Sequence, residues 1–199
     1  MNVRTHAILL AARAHGETAV IARMMTAEAG MVAAYVAGGR GRTLRPVVIP
    51  GNIVAADIRA KSDTQLPFAR LELVTSRGPW LSEPLPAAAI GWATALTATV
   101  LPERNAYPAL HGALTALLDA ICNAGSAREW LRGMLSYEAL LLRELGYGGT
   151  APPADATLDD LLDAFARQAT PIQRYLLADR RGDVMAARTM LGERLGRMG

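Results

Sequence analysis

The chain has 199 residues, 51% of them hydrophobic, a formal net charge of +3 and a single cysteine, Cys122. That is enough apolar material for a buried core in one domain or two small ones, while a lone thiol excludes an internal disulfide and a multi-cysteine zinc site. Thr, Glu, Arg or Pro interrupts every apolar run before it reaches the roughly 18 residues of a membrane span, and no small-residue cleavage pattern follows Met1–His6, so no signal peptide is read and the cytoplasm is the expected location.

The first part of the chain favours short strands separated by turn chemistry. Thr5 to Arg13 is a compact apolar run, Ala14–Glu17 a turn, and Thr18 to Met25 a second run that pairs with the first as a hairpin. Thr26–Gly30 makes the next connection and Met31 to Val36 the third strand. Leu44 to Ile49 reads as a further strand, Pro50-Gly51-Asn52 as a turn, and Ile53 to Ala60 and Phe68 to Val74 complete the set. Five or six short strands with almost no helical period between them point to a small closed barrel of the oligonucleotide-binding (OB) type.

Beyond Pro79, Pro84 and Pro86 the period changes. Ala87 to Val100 reads as an alanine-rich helix, Leu101–Pro108 as a loop because its prolines oppose a helix, and Ala109 to Asn123 as a second helix. Ser126 with Glu129 has the spacing of a capping box. The helix behind it sets Trp130, Met134, Tyr137, Leu141 and Leu145 on one stripe, read as core, and Gly146 ends it. Leu158 to Arg167, Thr170 to Arg181 and Asp183 to Arg197 read as three further helices. The expected architecture is therefore α+β, an N-terminal OB-fold β-barrel over residues 1–80 followed by an all-α helical domain over 81–199.

Charge divides along the same line. Residues 1–80 carry ten cationic side chains against five carboxylates, a balance of +5, and the remainder carries eleven against thirteen, a balance of −2. Such asymmetry points one half at an anionic partner. The segment Gly38-Gly39-Arg40-Gly41-Arg42-Thr43-Leu44-Arg45-Pro46 lets the backbone turn tightly and presents three planar guanidiniums, a form suited to phosphate oxygens. Arg40, Arg42 and Arg45 are the first candidates for phosphate contacts, and Arg13, Arg59 and Lys61 are further ones that depend on the barrel face they occupy. The competing reading of all six is a solvated surface. Tyr35, Phe68 and Trp80 are the only aromatics of this region apart from the histidines, so base stacking is expected to be a minor term. In the helical part Arg128 and Arg132 lie one turn apart and could receive an acidic peptide tail, against the plainer reading of a solvated helix face.

Little points to catalysis. His6, His15 and His111 stand apart from any cysteine or carboxylate cluster, and Asp155, Asp159, Asp160 and Asp163 gather at one helix start, where they complement its dipole rather than build a two-metal site. Gly146-Tyr147-Gly148-Gly149 lacks the Lys-Ser/Thr pair of a P-loop. No catalytic residue, metal or cofactor is expected, and Cys122 reads as a buried thiol.

The elements now assembled resemble the bacterial recombination mediator family RecO. The resemblance lies in Arg13–Glu17, in Thr26–Gly30 one strand later and in the Gly38–Arg42 loop after the third strand. It continues in Leu101-Pro102-Glu103-Arg104 followed by Tyr107-Pro108-Ala109-Leu110, and in Tyr137–Gly148 with its Leu-Gly-Tyr-Gly ending, so that it covers about Val3 to Gly148. The resemblance implies an OB barrel with a helical domain, binding to single- and double-stranded DNA, strand annealing, and partnership with RecR, the tail of single-strand-binding protein and, indirectly, RecA. It also implies a bacterial cytoplasm close to the nucleoid, and a mediator that is not an enzyme. Two departures limit it: Gly149-Thr150-Ala151-Pro152-Pro153 follows where many members carry a cysteine segment, so no zinc is carried over, and Asp155 to Gly199 is shorter than the family pattern. A protein-binding adaptor with a structural barrel is the alternative reading, and a metal-dependent nuclease a more distant one.

Overall fold

A computed structural model of the chain describes residues 2–60, 62, 64–179 and 183–198. Two compact units form, one from Met1–Ser82 with Leu101–His111, the other from Glu83–Val100 with Gly112–Gly199.

The first unit is built on five strands, β1 (Asn2–His15), β2 (Ala19–Thr26), β3 (Gly30–Val36), β4 (Ile53–Arg59) and β5 (Phe68–Thr75). They close in the order β1-β2-β3-β5-β4, with β4 returning to β1. All pairs are antiparallel except β3 with β5, which meet in parallel at Tyr35 and Phe68. The ring closes between β3 and β5 through that single pair, and this strand order is that of an OB fold. Alternate residues of each strand point inward, so Ala7, Leu9, Ala22, Met24, Val32, Val54, Ile58 and Leu71 fill the interior. Alanine at many inward sites keeps the filling small enough for so narrow a ring.

Two features depart from the sequence expectation. β1 runs on through Ala14 and His15, which the sequence reading gave to a turn; the turn starts two residues later, at Gly16. More substantially, Leu44 to Ile49 is not a strand. Arg45 donates its amide to the Gly41 carbonyl (2.9 Å) and Val48 to Leu44 (3.0 Å), a helical turn that pushes Val47 and Val48 into the barrel interior. Its apolar triplet matches a strand in composition, but the chain satisfies amides of this segment locally, without a strand partner. Asn52 fastens this turn: its buried side-chain amide donates to the carbonyls of Pro46 and Val47 (3.0 Å each), and its Oδ1 accepts from the Arg77 amide at 2.7 Å. Leu101–His111 lies with the barrel through Arg104, whose amide donates to Met31 (2.9 Å). Gly30 makes that approach possible, since at φ +68 it has no Cβ to collide with the Asn105 carbonyl.

The second unit contains α1 (Pro84–Val100), most of α2 (Pro108–Asn123), α3 (Ala127–Glu144), α4 (Leu158–Pro171) and α5 (Met185–Leu195). The α3 stripe is core as its spacing predicts: Trp130, Met134, Tyr137 and Leu141 are buried. α3 ends with Gly146 donating to Arg143 (3.0 Å) and Tyr147 to Leu142 (2.8 Å), the paired bonds of a Schellman closure. The capping box expected at Ser126 does not form, because its hydroxyl donates to the Glu129 carboxylate (3.3 Å) and caps no amide. The box stands instead at Thr157 and Asp160: the Asp160 amide donates to the Thr157 hydroxyl at 3.2 Å, and the Asp160 carboxylate accepts from the Thr157 amide at 2.9 Å. The Thr157 hydroxyl also donates to the Asp160 carboxylate at 2.6 Å, and this bond first, then that from the Thr157 amide, holds the Asp160 carboxyl below its ordinary range. The break expected between Arg167 and Thr170 is also absent. α4 runs to Pro171, whose missing amide leaves a carbonyl without a donor, and the chain widens into a π turn at Ile172–Leu176, where Leu177 donates to Ile172 at 3.2 Å.

Candidate nucleic-acid interface

The outward positions of the barrel form a row that crosses four hydrogen-bonded strand boundaries. Arg13 pairs with Ile21, Ile21 with Tyr35, Tyr35 with Phe68, and Phe68 with Arg59. A register shift in β1 between Leu9 and Ala11 sets this up: with Ala7 and Leu9 inward before it and Ala12 packed on the core after it, the bulge turns Arg13 and His15 outward. Two guanidiniums thus flank a central aromatic pair. The Tyr35 and Phe68 ring centroids are 5.2 Å apart at 65°, and His15 meets Tyr35 edge-on at 5.9 Å and 88°. Phe68 is 57% exposed.

The glycine and arginine loop starts beside this row. Gly38 turns at φ +69 and Gly39 lies against Val20, where a Cβ would clash. Arg40 then donates Nη1 to the carbonyls of Gly16 (3.1 Å) and Glu17 (3.0 Å) and its amide to Thr18 (2.9 Å). Its guanidinium therefore braces the β1–β2 turn as well as facing solvent. Arg42 and Arg45 are exposed further along the loop. Arg13 is exposed at the end of β1; Lys61 lies outside the described residues.

Arg59 is exposed but engaged. Its Nε and Nη2 reach Asp57 Oδ1 (3.0 Å) and Oδ2 (2.8 Å), and Arg4 Nε shares Oδ2 at 3.3 Å. The Arg59 hydrogen bond chiefly, with Arg4 adding, holds the Asp57 carboxyl below its usual range. Arg4 and Arg59 side chains are 80% and 62% exposed, so these pairs are solvent-screened and can be exchanged for phosphate.

In the helical unit Arg132 donates to the Ala154 carbonyl (2.7 Å) and Arg128 reaches that of Ala156 (3.5 Å). Both guanidiniums hold the segment leading into α4 and keep further N–H donors, since each fork carries five. The structure thus places Arg13 and Arg59 on one row and Arg40 at its edge, and sets Arg128 and Arg132 together elsewhere. Sequence reasoning did not find the His15, Tyr35 and Phe68 cluster. Strand alternation could have turned each ring outward, but no signal in the sequence pairs β3 with β5.

Comparison with known proteins agrees with this architecture. The family model "Recombination protein O N terminal" matches residues 1–77 and "Recombination protein O C terminal" matches residues 82–149. The DNA repair protein RecO of Phenylobacterium zucineum is 36% identical over 178 residues, covering 87% of this chain and 72% of that protein. The chain belongs to the RecO family. The RecO of Rhodospirillum centenum is 42% identical over 144 residues, 71% of this chain and 56% of that protein, and the RecO of Rhizobium etli 38% over 148 residues, 74% and 57%. The boundary between the two RecO models falls between β5 and α1, at the end of the barrel. Membership places this chain among DNA repair proteins. No helix among the described residues is long and apolar enough to cross a membrane.

Proposed function

We propose that this chain acts without catalysis as a recombination mediator in DNA repair, binding single- and double-stranded DNA through its barrel and annealing complementary strands. The observation that carries the reading is the outward row with Arg13 and Arg59, continued by the Arg40–Arg45 loop, in a chain of the RecO family. Guanidiniums that neutralise phosphates without reading base edges lower the repulsion between two strands and leave their bases able to pair. Arg13, Arg40, Arg42, Arg45, Arg59 and Lys61 are the proposed phosphate contacts. Arg128 and Arg132 are proposed to receive the acidic tail of single-strand-binding protein through their remaining donors. With RecR, the protein would help RecA load on coated strands in the bacterial cytoplasm, at the nucleoid.

The test replaces Arg40, Arg42 and Arg45 together by alanine and follows DNA affinity by anisotropy, with the fold checked by circular dichroism. Affinity for single strands and duplex falls together, and the slope of log K against log salt becomes shallower by about 2. A folded variant with unchanged affinity and slope assigns the loop to solubility and overturns the site.

A further inference from the structure

We infer that Tyr35 and Phe68, with His15 beside them, form a stacking platform for unpaired nucleobases, making one patch of the barrel selective for single strands. This inference rests on the DNA-binding reading above and names what that surface recognises. Composition alone argued that stacking would be minor; the tertiary structure gathers the two barrel aromatics into contact on adjacent strands, outward, in one row with Arg13 and Arg59.

A simpler role is available for the pair, as a cover over the seam where β3 and β5 close the barrel, and Tyr35 fills it. Tyr35 is half-buried, and its amide donates to the Pro67 carbonyl at 2.7 Å, the bond that fastens the seam. Phe68 does not need to be aromatic for that purpose. It lies outside the set of residues that fill the barrel interior and leaves 57% of its surface in water. Among the described residues no large hydrophobic side chain is more exposed than Phe68, and a ring so placed between cations fits a ligand-binding surface. The occupant must offer a flat π-face to the rings and negative charge to the guanidiniums on either side, and a nucleotide offers both in one unit. Duplex DNA offers only the charge, since its bases are stacked inside the helix; an unpaired base can lie on Phe68. With so few rings the patch holds only one or two bases, so the rest of the strand stays open to a complementary one.

The decisive measurement uses the full-length protein, wild type and Phe68→Ala, against an oligothymidylate, an abasic oligomer of the same length and a duplex of that length, across a salt series. Phe68→Ala weakens thymidylate binding roughly 5- to 150-fold, while affinities for the abasic oligomer and the duplex and all salt slopes stay unchanged. Phe68→Trp, which keeps a stacking face, restores thymidylate binding. Equal losses on all three ligands would make the ring a structural element, and no loss on any would leave the patch to a protein partner; either result overturns the inference alone. A wild-type protein that binds none of the three ligands overturns the DNA-binding proposal with it.

Discussion

Asp57 sits against two guanidiniums on the outer face of the barrel, and it sets how much of their charge is offered outward. Replacing it with asparagine removes both ion pairs and releases Arg4 and Arg59 toward phosphate, so DNA affinity rises about two- to fivefold at low salt, the scale of an exposed pair. Equilibrium binding at fixed ionic strength checks this, and an unchanged or lower affinity would remove Arg59 from the interface. The pH sign follows from the depressed Asp57 carboxyl. Its ion pairs are complete above the ordinary carboxylate pKa and are lost only as pH falls through the lowered value, so near neutrality the substitution acts with no pH dependence of its own. At this scale the sequence was informative about residue type and blind to pairing. The side chains of Arg40, Arg42 and Arg45 look alike in a loop, yet only Arg40 is tied to the Gly16 and Glu17 carbonyls, because the β1–β2 turn folds back beside it.

Among the elements, α5 depends on a buried charge. Arg188 projects from it to Glu138 of α3, with Nε–Oε1 and Nη2–Oε2 at 3.0 and 2.9 Å; they are 3% and 0% exposed. The Trp92 indole N–H from α1 (2.6 Å) and the Gln168 amide from α4 (2.8 Å) also donate to that carboxylate, while the guanidinium lies 3.8 Å from the centre of the Phe165 ring. Four helices thus meet at one carboxylate whose acceptor sites are filled. Arg188→Leu strands the carboxylate and destabilises the protein by about 3–5 kcal/mol, and Glu138→Leu strands the guanidinium at a similar cost. The double variant costs much less than the two together, since neither charge is then left alone; urea denaturation of the three variants measures it. The α3 stripe that brings Glu138 inward was legible from its period. The choice of Arg188, out of all the arginines, as its partner was not, since the two are 50 positions apart in the chain. Local spacing also misled at the helix starts: the Ser126 hydroxyl donates to the Glu129 carboxylate and caps no amide of α3, while the capping box that does form, Thr157 with Asp160 on α4, was not singled out in the sequence.

Taken as a whole, the molecule carries its positive charge in one part, +5 over residues 1–80 against −2 over the rest. If about four phosphates are neutralised on a single strand, log K falls against log salt with a slope of roughly −3. A titration across salt reads this directly, and a slope near zero would mean the barrel does not hold a nucleic-acid backbone. The same charge predicts faster annealing of complementary strands coated with single-strand-binding protein, without nucleotide or divalent metal, and no acceleration would reject the mediator reading. The sequence by itself determined the barrel followed by helices, the apolar face of α3 and the concentration of arginine at the N-terminal end, because period, turn chemistry and charge are written in neighbouring residues. Only the tertiary structure decided that Leu44–Ile49 plugs the barrel instead of joining it, that a bulge in β1 turns Arg13 outward, and that Tyr35 meets Phe68. The bulge and the ring contact depend on which distant strand becomes the neighbour, and the plug on Asn52, whose buried side chain fastens a locally hydrogen-bonded turn.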